Sequence, residues 1–226
     1  MNSTQPPVFS LRTIDNLRGT AGRLEALLNI GAPDANYAVL VCHPHPLGGG
    51  TMHNKVVYHA MKAFRSFGLP VLRFNFRGTG LSEGEHDHGR GEQDDVRAAL
   101  DWLDNEFHLP ILFAGFSFGS YVGLRVCCGD PRVKGLVALG LPVHAEGRDY
   151  RYDFLSACGM SKLFISGTRD RYGPQSQIEA AMAMAASPKE MVWVEGADHF
   201  FVGKLDQVQR AIRNWCEAHF LLSVVQ

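Results

Sequence analysis

Short, almost wholly apolar runs recur along this chain and alternate with segments of helical period, which leaves few folds open to it. Tyr37–Cys42 (YAVLVC), Pro70–Phe76 (PVLRFNF), Pro110–Phe116 (PILFAGF), Val133–Leu139, Ser161–Ser166 and Met191–Val194 all read as strands. Continuous apolarity, rather than alternation, marks strands covered on both faces, as in a parallel sheet. Between them, Asn54–Phe67 sets Val56, Val57, Ala60, Met61 and Phe64 on one side of a helix. Asp94–Phe107 does the same with Val96, Leu100 and Leu103. Phe118–Cys127, Pro174–Ala186 and Leu205–Leu222 are the remaining helices. Upstream, Val8–Ile14 and Arg23–Leu28 are separated by Gly19 and Gly22 and suggest antiparallel strands leading into the sheet. The expectation is an α/β chain with a mostly parallel sheet, helices on both faces, and a site beyond the carboxyl ends of the strands.

With 226 residues, no internal repeat and no low-complexity linker, residues 1–226 are expected to form a single domain. The formal net charge is −1, from 22 basic and 23 acidic residues. Phosphate-backbone binding needs a basic footprint that this balance lacks, so nucleic acid is not an expected partner. Met1 to Ser10 has neither a positive nor an apolar leader region, and no apolar run approaches the roughly 20 residues that span a bilayer. The five cysteines (Cys42, Cys127, Cys128, Cys158 and Cys216) are odd in number and scattered, without a C-x-x-C pair. They suggest reduced thiols in a cytoplasmic protein, most of them acting as small core residues.

Chemistry concentrates at Gly115-Phe116-Ser117-Phe118-Gly119, a G-x-S-x-G between the buried run Ile111–Ala114 and a helix. A nucleophile on a sharp strand-to-helix turn needs minimal neighbours two residues to either side, where a Cβ would collide with the flanking elements. The turn aims the backbone N–H of Phe118 at the place where an oxyanion would develop. A serine hydroxyl needs a base. Among ten histidines, His199, in EGADHF just past the last strand, lies at the same sheet edge as Ser117. The acid that orients it is expected at Asp170, where KLFISGTRD runs from a strand into a polar turn. Asp198 is the weaker candidate, because adjacent side chains diverge and its carboxylate would not reach the ring. The second oxyanion donor is expected from the loop His43-Pro44-His45-Pro46-Leu47-Gly48-Gly49-Gly50. Proline has no N–H, which leaves His45 as the favoured donor and Leu47 in reserve.

The combination of VCHPHPLGGG, RFNFRGTGLSEG, GFSFG, SGTRD and GADHF resembles the α/β-hydrolase superfamily over residues 23–222. It is most similar to a small lidless subgroup carrying an HPHP…GGTM…NK loop, and RGTGLSEG is similar to the R-G-x-G-x-S turn after the fourth strand of that fold. The resemblance implies an eight-stranded sheet, a Ser-Asp-His triad in that chain order, and hydrolysis of ester-like substrates. Many relatives have His-Gly where this chain has His43-Pro44, a departure that bears on the backbone of the oxyanion loop.

Other chemistries are weaker readings. Of His43, His45, His53, His86 and His88, the first two and the last two form H-x-H pairs, but none belongs to a zinc signature, so no metal is expected. Gly48–Gly50 before Lys55 lacks the Gly-Lys-Ser/Thr of a phosphate loop, and Gly78-Thr79-Gly80 lacks the third glycine of a dinucleotide fingerprint, so no cofactor is expected. Phe116, Phe118, Phe200 and Phe201 suit either core or an acyl pocket. The stretch between Leu139 and Lys162 is too short for a multi-helix cap, which implies an open site for a small ester. A peptidase or acyltransferase would use the same three residues, and a non-catalytic binding module could share the fold.

Overall fold

The computed structural model describes residues 10–144, 148 and 150–225; positions 8 and 9 of the expected first strand lie outside them. The chain runs β1 (Leu11–Ile14), β2 (Arg18–Gly19), β3 (Gly22–Arg23), β4 (Ala26–Asn29), β5 (Ala38–Cys42), α1 (Lys55–Arg65), β6 (Val71–Phe74) and α2 (Gly91–Phe107). It continues through β7 (Ile111–Phe116), α3 (Phe118–Cys127), β8 (Val133–Leu139), β9 (Ser161–Gly167), α4 (Gln175–Met184), β10 (Lys189–Val194) and α5 (Leu205–Phe220). Eight strands form one sheet in the order β1-β4-β6-β5-β7-β8-β9-β10, while β2 and β3 pair as a small ribbon beside it. Pairings from β6 through β10 are parallel; β1 and β4 join antiparallel at one edge.

The chain enters the parallel part at β5, moves to β6 on one side, then returns to β7 on the other. That reversal is a topological switch point, where loops leaving the strand ends diverge and open a crevice. The loops after β5 and β7 therefore define the cleft.

Successive strand residues face opposite sides of the sheet, so each central strand feeds two cores. Val39 and Val41 of β5, with Leu112, Ala114 and Phe116 of β7, pack beneath α1 and α5 against Val57, Phe64 and Ile212. Leu40 and Cys42, with Ile111 and Phe113, pack on the other side against Leu100, Val122 and Ile178. All of these are buried, which explains why the strands read as continuous apolar runs. Helix boundaries follow from local partners. Asn54 caps α1 by accepting the Val56 N–H at 2.9 Å. The Asp87 carboxylate accepts the Gly91 N–H at 3.0 Å, so α2 starts ahead of the expected Asp94.

One expectation needs correction. Cys128 and Cys158 are joined by a disulfide, with Cα atoms 5.2 Å apart and a sequence separation of 30. Cys128 follows α3 and Cys158 follows the 3-10 turn Asp153–Ala157, so their meeting depends on how two distant elements end. Cys42, Cys127 and Cys216 are buried free thiols. Burial pushes all three up, Cys216 to about 12, which keeps them protonated and unreactive. No helix among the described residues is long and apolar enough to cross a membrane.

The turn after β6 is braced by a buried ion pair. Arg77 donates from Nη2 to Asp95 at 2.7 Å and from its backbone N–H to the same carboxylate at 3.0 Å. Asp95 is fully buried, so Arg77→Met should strand it and lower stability by about 3–5 kcal/mol. The denaturant midpoint measures this, and an unchanged midpoint would mean the pair is dispensable.

Candidate active site

Ser117 sits between β7 and α3 with φ 54° and ψ −121°, a left-handed conformation that a side chain rarely adopts. The turn is held from both sides: the Ser117 N–H donates to Leu139 O at 2.8 Å, and the Ser120 hydroxyl donates to Ser117 O at 2.6 Å. Glycines are required around it. A Cβ on Gly115 would lie 2.6 Å from Gly119 O and from Ser120 Cα, and one on Gly119 would lie 2.3 Å from His43 O. The helix N-terminus is thus pressed against both β7 and the end of β5.

The structure brings Ser117, His199 and Asp170 into one hydrogen-bonded chain. Ser117 Oγ lies 2.9 Å from His199 Nε2, and His199 Nδ1 lies 2.7 Å from Asp170 Oδ2. A carboxylate only accepts, which places the imidazole proton on Nδ1 and leaves Nε2 to accept from the serine hydroxyl. The other carboxylate oxygen accepts the N–H groups of Tyr172 at 2.8 Å and Gly173 at 3.2 Å, which locks its plane. The ring of His199 is packed between Phe116 and Tyr172, with centroids 5.1 and 4.7 Å away. Asp198 turns elsewhere and accepts the Val202 N–H at 3.0 Å.

The loop after β5 begins at the His43-Pro44 departure. His43 is fully buried, donates from Nδ1 to Pro44 O at 2.6 Å, and accepts the Phe76 N–H on Nε2 at 2.9 Å. Holding the Pro44 carbonyl on one side turns the N–H of the same peptide, that of His45, to the opposite side. Burial lowers His43 to about 4, so it stays neutral and keeps both bonds. Neither the His45 nor the Phe118 N–H donates to a protein carbonyl among the described residues. Leu47, the reserve donor, is committed: its N–H donates to His45 Nδ1 at 3.2 Å.

Sequence reading missed this support. Asn75 accepts the Met52 N–H at 2.8 Å and donates to Glu25 at 2.7 Å, while Arg73 donates to Met52 O at 3.1 Å. The RFNFRGTG stretch therefore buttresses the segment after β5, and the buried polar residues inside an apolar strand were the available signal. No group of three or more His, Cys, Asp or Glu among the described residues could hold a metal ion.

A cavity of about 400 Å³ opens over Ser117, walled by His45, Gly48–Gly50, Tyr172 and Phe200. Of the four candidate phenylalanines, Phe200 is half exposed at this rim, Phe118 lies on the side away from it, and Phe116 and Phe201 are core. Among the described residues, the segment between β8 and β9 carries a single 3-10 turn.

Residues 36–219 match the family model described as an alpha/beta hydrolase domain. The chain belongs to the α/β-hydrolase family. This α/β hydrolase is 36% identical to an alpha-beta serine hydrolase homologue from Coxiella burnetii, with 91% of this chain and 96% of that one covered and a TM-score of 0.80. A serine hydrolase without lid from Xanthomonas campestris is 31% identical over the whole of both chains, at a TM-score of 0.82. An uncharacterised protein of Rickettsia prowazekii is 35% identical, covering 87% of this chain and 85% of its own.

The neutrality of His43 has a consequence for stability. In the unfolded chain a histidine titrates near 6.5, while in the fold His43 stays unprotonated to about 4. Between these values the unfolded state binds more protons, so the stability contribution is complete above pH 6.5 and is lost as pH falls toward 4. Chemical denaturation of the wild type across that window should show this loss. His43→Asn, which cannot titrate, should show a shallower slope; an unchanged slope would remove His43 as its source.

Proposed function

We propose that this α/β hydrolase cleaves carboxylic esters of small substrates, with Ser117 as nucleophile, His199 as general base and Asp170 as the acid that orients it. The observation that carries this reading is the continuous Ser117–His199–Asp170 hydrogen-bonded chain at the switch-point cleft. Ser117 Oγ attacks the acyl carbon while its proton passes to His199 Nε2, and Asp170 stabilises the imidazolium. The N–H groups of Phe118 and His45 bind the oxyanion, each contributing roughly 3 kcal/mol in sites of this kind. His199 then hands its proton to the leaving alcohol, and water activated by the same ring releases the acid. That the described residues between β8 and β9 carry only a short 3-10 turn supports a small substrate over a long lipid chain.

Ser117→Ala should lower kcat/KM on short-chain p-nitrophenyl esters by more than about 10³-fold, and Asp170→Asn by about 10²–10⁴-fold. A fluorophosphonate probe should label the wild type at Ser117. Wild-type turnover in Ser117→Ala would refute the assignment.

A further inference from the structure

Beside the cleft lies a second chamber of about 280 Å³ that shares His45, Arg148 and Tyr150 with it. Its own walls are His86, His88, Phe118 and Tyr121. Among the described residues, no Asp or Glu lines either cavity.

The polar groups around the chamber are overwhelmingly donors. Because His45 Nδ1 accepts the Leu47 N–H, the proton of this neutral ring sits on Nε2, which makes that nitrogen a donor. Arg148 has five N–H groups, and its hydrogen bond to the Tyr150 hydroxyl cannot use them all. The Tyr121 hydroxyl accepts from Arg125 at 3.4 Å and keeps its own O–H to give. His86 stands against His45 and His88, with ring centroids 4.7 and 5.2 Å away. Its Nδ1 is 2.7 Å from the buried Glu92 carboxylate. Glu92 is further engaged by the N–H groups of Asp87 and Gly89, and Asp87 by Arg90 and the Gly91 N–H. The nearby carboxylates are therefore occupied on the far side of the wall. Burial first, and then the neighbouring Arg148, His86 and His88, lower His45 to about 4.

The position of the chamber says which half of a substrate would reach it. A leaving alcohol must lie beside His199, which protonates it, and the chamber borders none of His199, Tyr172 and Phe200. It borders instead the two residues whose N–H groups face the oxyanion, His45 and Phe118, and so lies on the acyl side. We propose that this chamber binds the acyl group of the substrate, and that this group ends in a carboxylate, making half-esters of short dicarboxylic acids the preferred class. The planar fork of Arg148 suits a carboxylate, and the ring of Phe118 suits the methylenes leading to it.

This inference rests on the ester-hydrolase reading, and one experiment separates the two. Monoethyl glutarate and ethyl pentanoate present acyl chains of equal length with and without the terminal charge, and acid release measures both. At low salt, kcat/KM should favour monoethyl glutarate by tenfold or more, and the ratio should shrink as ionic strength rises. Arg148→Leu should lower that ratio at least tenfold and Arg148→Lys should restore part of it. Arg148 is exposed, and an unchanged melting midpoint checks that the variants stay folded. A ratio near one, or a ratio untouched by Arg148→Leu, overturns the inference while fluorophosphonate labelling of Ser117 leaves the hydrolase reading standing. No turnover of either ester together with no labelling overturns both.

Discussion

A serine held at φ 54° between a buried strand and a helix dictates much of what surrounds it. That conformation persists only where the neighbourhood over-determines it. Here the determinants are the bond to Leu139 O, the Ser120 hydroxyl, and the contact of α3 with β5 that a Cβ at Gly119 would abolish. Because that contact is made with the backbone at Cys42 and His43, the Ser117 turn and the loop after β5 form one packed unit. The two halves of the proposed oxyanion site are thereby set by main-chain packing, before any side chain is aimed.

Around this unit, polar groups are buried in pairs that leave little freedom. His43 ties Pro44 to Phe76, Asn75 and Arg73 tie Met52 to the β6 strand, and Arg77 ties the following turn to Asp95 in α2. Each bond satisfies a group whose burial alone would be costly, so the network specifies a single arrangement of the loop. The proposed acyl chamber grows from the same source. The turn braced by Arg77 leads into His86 and His88, and the His45 ring that caps the 3-10 turn Pro46–Gly48 forms its shared wall.

The strands, helices and the G-x-S-x-G turn were legible because apolar periodicity and glycine placement are local signals. Ser117, Asp170 and His199 were legible because each follows a strand at the same sheet edge. The role of His43 was not: a histidine between a strand and a proline reads equally as a solvated loop, and its two bonds are made to segments one and 33 residues away. The Cys128–Cys158 pairing was hidden for the same reason, since it joins the ends of two elements that sequence spacing does not relate. His86 and His88 read as a solvated acidic loop, and only the packing of α2 revealed Glu92 behind them.

By itself, then, the sequence determined the α/β alternation, the strained turn at Ser117, and which residues stand at the carboxyl edge of the sheet. These follow from side-chain periodicity, backbone sterics and chain order, all of which act over a few residues. Tertiary structure decided which backbone N–H groups face the cleft, which histidine stays neutral, and which side chains gather with Arg148 beside Ser117. Those outcomes depend on burial and on contacts between distant segments, where desolvation and charge set the energy.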